Sequence, residues 1–200
     1  MAPCDAQLSP HSLVACPAVR PDDKGVLVVR SAVPGDLEQI LALYRACVNA
    51  DRDYLPFLAG REPSAYLAWF RLKPLVCCLV AEQAGIVAGV AGLRDAVPGP
   101  GAGDPRGRWL EACRLAVHPL HRGGDLTREL IAARISSARD LGAIRLWLRC
   151  VEGSRAHQLY LANGWTWWAR TEFEGAASCQ PAVLLARSTG TADPPARSSR

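Results

Sequence analysis

The chain has 200 residues, half of them apolar, with 23 Lys and Arg against 19 Asp and Glu and a formal net charge of +4. That length suits one domain with a core of its own, and the charge excludes no soluble class but gives no sign of nucleic-acid binding: basic residues form no run of five or more. No basic segment leads into an apolar one at the N-terminus and no apolar run reaches the roughly 18 residues of a bilayer span, so no membrane partner and a cytoplasmic location are expected.

Residues 1–25 carry Pro3, Pro10, Pro17 and Pro21 without periodicity and read as a flexible leader. Residues 26–30, VLVVR, predict a first strand. Asp36, after Pro34-Gly35, stands where it can cap a helix carrying Leu37, Ile40, Leu41, Leu43, Tyr44 and Val48. A second helix is expected over 64–71. Strands at 75–81 and 86–93, joined by a tight turn at 82–85, form a hairpin. A Gly- and Pro-rich loop over 97–107, read as mobile, precedes a strand over 109–117. A helix follows and extends to about Leu141, where Gly142 ends it. Next come a strand at 144–151, a short helix at 154–163 closed by Asn163-Gly164, and strands at 165–170 and 182–186. The order β-α-α-β-β-β-α-β-α-β-β predicts an α/β (α+β) domain over 26–187, a mixed sheet flanked by helices. Residues 188–200 are Ser-, Thr-, Pro- and Arg-rich and read as a disordered tail.

Eight cysteines do not make a metal centre or a disulfide framework here. No C-x-x-C pair occurs, and no paired histidines accompany them. They are expected to be small buried residues in a reducing compartment, with no metal bound.

The densest chemical signal is residues 115–130, LAVHPLHRGGDLTREL. A strand end, Leu115-Ala116-Val117, meets a basic Gly-rich turn, and a helix starts at once with Leu126, Leu130, Ile131 and Arg134 on one surface. The first amides of a helix have no internal partner and carry the positive end of its dipole. Glycine allows close approach and Arg122 adds a full charge, so this turn reads as an anion site. An ordinary strand-to-helix loop is the competing reading.

With these residues in view, the chain resembles the GCN5-related N-acetyltransferase (GNAT) superfamily over about 26–187. Val29-Arg30-Ser31-Ala32 with Asp36-Leu37 is similar to its opening strand and helix. Val117-His118-Pro119 with Arg122-Gly123 resembles its acetyl-CoA turn, V-x-P-x-x-R-G-x-G-x-G/A. Ala156, Leu159-Tyr160 and Asn163-Gly164-Trp165 resemble its late A-x-x-L-Y-x-x-x-G-F signature. The resemblance implies a GNAT fold, a mixed and mostly antiparallel sheet with helices on both faces. It implies acetyl-CoA as co-substrate and transfer of its acetyl group to a primary amine, on a small molecule or a peptide, by direct attack in a ternary complex. A homodimer is compatible with it.

By resemblance, Leu115 and Val117 contact the pantetheine arm, while Arg122, Gly123, Gly124, Leu126 and Thr127 line the pyrophosphate. Asp125 and Thr127 depart from the small residues of the pattern, and the Asp125 carboxylate is expected to compete with the pyrophosphate for amides. A non-catalytic module that binds CoA or another ligand is the alternative that this departure keeps open. Tyr160 falls where the family places a tyrosine beside the thioester sulfur, as an acid for the leaving thiolate; the competing reading is a core aromatic. Glu111 is the base expected from some family members. Even spacing puts it on one face with Cys113, Leu115 and Val117, and an apolar setting there would raise its pKa; a solvent-exposed strand end is the competing reading. His118 and His121 flank the turn. Trp165, Trp167 and Trp168 read as one aromatic cluster, and Asp51, Asp53, Tyr54 and Tyr66-Trp69-Phe70 fall where the family recognises its acceptor. Cys113 opens a covalent route, though no histidine motif accompanies it.

Overall fold

A computed structural model describes residues 26–51, 55, 58–96, 107–174 and 179–190. The expected leader, the loop over 97–106, Asp53, Tyr54 and the tail from 191 lie outside the described residues. The described residues form seven strands and four α-helices in the order expected. They are β1 (Val28–Ser31), α1 (Leu37–Ala50), α2 (Pro63–Arg71), β2 (Cys77–Gln83), β3 (Ile86–Asp95), β4 (Arg108–Val117), α3 (Leu126–Asp140), β5 (Ala143–Val151), α4 (Arg155–Ala162), β6 (Thr166–Glu174) and β7 (Cys179–Ser188).

One sheet contains all seven strands in the order β1-β2-β3-β4-β5-β7-β6. Every neighbouring pair is antiparallel except β4 and β5. Helices α1 and α2 cover one face. Ile40, Leu43, Tyr44, Cys47 and Val48 repeat at helical spacing along α1 and pack on Val80, Val87, Val90 and Ala116. Helices α3 and α4 cover the other face, where Ile131, Ala138 and Tyr160 meet Leu93, Leu110, Leu146, Leu148 and Leu185. Burying each such aliphatic side chain contributes about 1.5–3 kcal/mol, so the two layers fix the sheet between them. The fold is therefore the expected mixed α/β architecture with helices on both faces.

Three local expectations change. Asp36 does not cap α1 with its side chain. Its carboxylate instead accepts from Val33 N at 2.8 Å and from Arg30 Nη1 and Nη2 at 2.7 and 2.8 Å. Arg30 also reaches Glu82 on β2, so the charge ties the edge strand down rather than starting the helix. The three tryptophans do not form one cluster. Trp165 is buried with Tyr160 under α4, whereas Trp168 packs against Trp109 at 5.3 Å on the other face and Trp167 is exposed, because strand residues alternate sides. Strand β7 also passes Arg187. Thr189 is buried and its amide donates to Ile144 O at 3.1 Å, one residue beyond the end of the strand.

Candidate functional site

Strands β4 and β5 pair only over Arg108–Glu111 with Ala143–Trp147. Beyond Glu111, β4 stays on β3 as far as Val117 and β5 stays on β7 as far as Val151. The two strands therefore separate, and the facing edges carry no ladder bonds to each other. This opens a slot in the middle of the sheet, the one place in a sheet where backbone can receive a ligand from both sides.

A bulge shapes the β4 side of the slot. Register shifts between Val90 and Gly92 of β3, opposite Ala116 and Cys113, so β4 carries one extra residue there. Arg114 takes it up with φ of +58°. Both large helices of that face hold the bulge: the Tyr44 hydroxyl donates to Arg114 O at 2.8 Å, and Arg114 Nη2 donates to Trp69 O at 2.8 Å. The Arg114 guanidinium lies 3.7 Å from the Trp69 ring centroid.

The bulge overturns the expectation that Glu111, Cys113, Leu115 and Val117 share a face. Leu115 and Val117 pack toward α3, with Leu126 and Leu130. Because one residue is inserted, Cys113 and Glu111 turn to the α1 and α2 side, Cys113 in register with Gly92 and beyond it Cys78. Glu111 is buried, but it is not an isolated carboxylate among apolar groups: it is ion-paired with Arg94 of β3. It is also the last β4 residue in the ladder with β5, so it marks the closed end of the slot.

The open end is the Gly-rich turn. After Val117, a short 3-10 turn at Pro119–His121 leads through Arg122 into Gly123, whose φ of +87° is a conformation glycine adopts without strain. Arg122 Nε donates to Val117 O at 3.2 Å, and the Cys47 thiol donates to the same oxygen at 3.3 Å, which pins the turn to the end of β4. The amides of Gly123, Gly124, Leu126 and Thr127 have no acceptor among the described residues. Leu126 is buried and its helix lies close on the sheet because β3 offers Gly89 beneath it: a Cβ there would stand 2.7 Å from Leu130 Cδ1 and 2.8 Å from Leu126 Cδ2. Asp125, expected to compete for the free amides, makes no capping bond. Its side chain is 72% exposed and ion-paired with Arg128, so the amides stay available.

Tyr160 is carried by α4. It is buried in a cluster that also contains Leu148 and Cys150 of β5, and Leu115 of β4 packs against that cluster. Its ring meets Trp165 edge-on at 5.3 Å, and its hydroxyl accepts from Arg134 Nη2 at 3.4 Å. The Cys113 thiol is pushed up to about 11, mainly by burial, so it is protonated at neutral pH and a poor nucleophile. His118 is held below its ordinary value, first by burial and then by His121 and Arg122. Tyr66 is buried with its hydroxyl on Leu58 O at 3.0 Å, and Asp51 is exposed.

The profile of the acetyltransferase (GNAT) family matches residues 44–165, a span that runs from α1 through the slot and the turn to Trp165. The chain belongs to this family. Solved GNAT structures share its fold. An N-acetyltransferase from Staphylococcus aureus Mu50 superposes with a TM-score of 0.61 at 21% identity, covering 82% of this chain and 99% of that one. A ribosomal-protein-alanine N-acetyltransferase from Brucella melitensis gives a TM-score of 0.62 at 21% identity, covering 80% and 99%. A GNAT family acetyltransferase from the same organism, in complex with acetyl-CoA, gives 0.55 at 19% identity, covering 84% and 91%. No curated protein matches the chain by sequence.

Two residues that shape this GNAT site escape sequence reasoning. Arg114 sits inside a strand that also carries Glu111, so its charge does not by itself mark a bulge. Arg134 is visible as an arginine on the apolar stripe of α3, and the structure buries it completely.

Proposed function

We propose that this GNAT acetyltransferase moves the acetyl group of acetyl-CoA to a primary amine by direct attack within a ternary complex. The observation that carries the reading is the slot between β4 and β5, open at one end onto four free amides and Arg122. Those amides and the dipole of α3 suit a pyrophosphate, so Arg122, Gly123, Gly124, Leu126 and Thr127 would hold it. Leu115 and Val117, on the same face, would flank the pantetheine arm as it enters the slot. Tyr160, in the cluster that includes Leu148 and Cys150 of β5, would give its proton to the departing thiolate. Glu111 lies at the closed end on the opposite face and would take the proton of an amine that arrives from the α1 and α2 side, directly or through water. The two roles would thus fall on opposite faces of the sheet, with one group for the amine that adds to the acyl carbon and another for the thiolate that leaves it.

The five free cysteines among the described residues suit a reducing cytoplasm. The exposed Asp125–Arg128 pair removes the main support for a purely binding module. The test is release of CoA thiol from acetyl-CoA across a panel of amines, amino acids and peptides, with mass spectrometry of the products. Acetylated product on any amine supports the reading. Thermal stabilisation by acetyl-CoA without release on any acceptor would favour the binding module.

A further inference from the structure

Arg134 is the most unusual residue in the core. It lies on the sheet-facing stripe of α3 with Leu130 and Ala138, and none of its surface reaches solvent. Its guanidinium stands 5.7 Å from the Tyr160 ring centroid and 5.9 Å from that of Trp165. Nη2 donates to the Tyr160 hydroxyl, while Nε and Nη1 are buried with no hydrogen-bond partner among the described residues. No acidic side chain among the described residues pairs with it; Glu111, a buried carboxylate on the neighbouring strand, is on the other face and held by Arg94. A buried guanidinium without a counter-charge is costly, and an apolar residue of similar volume would fit such a stripe at no such cost. A charge kept under those terms points to a use.

The chemistry of the contact defines that use. Arginine only donates, so the Tyr160 oxygen must accept from it, and its own O–H is left to donate elsewhere. Tyr160 shares its cluster with Leu148 and Cys150 of β5, with Leu115 of β4 packed against it, and these strands edge the slot, so the slot is the direction assigned to that proton. We propose that Arg134 is a positioning residue that sets the Tyr160 hydroxyl as a donor toward the cofactor sulfur and stabilises the negative charge that the sulfur and the phenol oxygen share during transfer. The inference rests on the acyltransferase reading above and adds a residue to it.

In the step itself, the amine nitrogen forms its bond to the acyl carbon and the carbon–sulfur bond breaks. The electron pair of that bond passes to sulfur, and the Tyr160 proton follows it. The amine proton leaves through Glu111 or water, and Tyr160 regains a proton from solvent. Arg134 keeps its protons throughout. Its Nη2 faces the oxygen from which the proton departs.

The test uses free CoA, an aliphatic thiol, and so needs no knowledge of the acceptor. Ultraviolet difference spectra at a series of pH values report the thiolate of bound CoA. The neighbouring Cys113 and Cys150 thiols are both raised to about 11 by burial, and the same series without CoA is the reference for them. In wild type, bound CoA is expected to ionise about tenfold more readily than free CoA, because a charge-assisted donor pair faces the sulfur. Arg134→Met and Tyr160→Phe should each remove most of that shift, and the double variant should remove no more than either alone. Arg134→Lys, which retains a donor, should recover part of it. Arg134→Met should keep its thermal stability, so that loss of the shift is not loss of fold. An unchanged shift in Arg134→Met beside a lost one in Tyr160→Phe would overturn the role of Arg134 and leave Tyr160 as the acid. An unchanged shift in Tyr160→Phe, or no shift or no CoA binding in wild type, would overturn the Tyr160 reading and this inference with it.

Discussion

Gly123 carries more of the turn than any other single residue. Its φ of +87° lets the chain reverse between Arg122 and α3 while its amide stays unpartnered. A Cβ would meet no neighbour, so the cost of Gly123→Ala is conformational, about 1–2 kcal/mol. We expect the turn to relax away from that geometry, and acetyl-CoA affinity to fall about tenfold by calorimetry. Asp125 gives the opposite expectation. Its carboxylate faces solvent on Arg128, and exposed pairs of this kind contribute at most about 1 kcal/mol. Asp125→Gly should therefore change acetyl-CoA affinity by no more than about fivefold. A larger gain would restore the competition that the sequence alone suggests.

At the scale of elements, α3 is set by what lies beneath it. Gly89 is the gap in β3 that admits Leu126 and Leu130, which places the free amides at the mouth of the slot. Gly89→Val would push on two buried leucines and should cost about 1–3 kcal/mol in denaturant unfolding. Because the helix start moves with them, cofactor affinity should fall with stability; unchanged affinity would separate the turn from the packing under it. The elements themselves were legible from periodicity and punctuation. Gly142 and Asn163-Gly164 end α3 and α4 where their residue types say they should, and the spacing of Ile40, Tyr44 and Val48 marks the buried side of α1. The bulge was not legible, because a bulge is a fact about two strands: only the register of β3 against β4 shows that Arg114 is the extra residue. Alternation counted through it puts Glu111 on the wrong face. The Gly-rich turn is local and could be read directly; the Arg134–Tyr160 contact joins residues 26 apart in the chain and could not.

Across the whole molecule, Asp36 and His118 contribute to the acid side of stability. Asp36 is held below the ordinary carboxylate value, first by its bonds to Arg30, and it joins β1 to the start of α1. A carboxyl depressed in the folded state stabilises above its unfolded value of 3.8 and loses that contribution as pH falls through the depressed one. His118 is depressed chiefly by burial, so the folded chain binds fewer protons there and loses stability as pH falls below 6.5. Thermal unfolding should show a gentle loss beginning near that value and a steeper one at acid pH. His118→Asn should remove part of the first, and Asp36→Asn should flatten the second while lowering stability at neutral pH by about 1–3 kcal/mol.

As proposed, acetyl-CoA would lie in the slot between β4 and β5 with its pyrophosphate on the amides of the turn. Residue-resolved amide hydrogen exchange with and without acetyl-CoA measures this placement directly. The slot predicts new protection at Gly123, Gly124, Leu126 and Thr127, together with slower exchange along Leu115–Val117. Protection confined to other elements, with these amides unchanged by saturating cofactor, would contradict it.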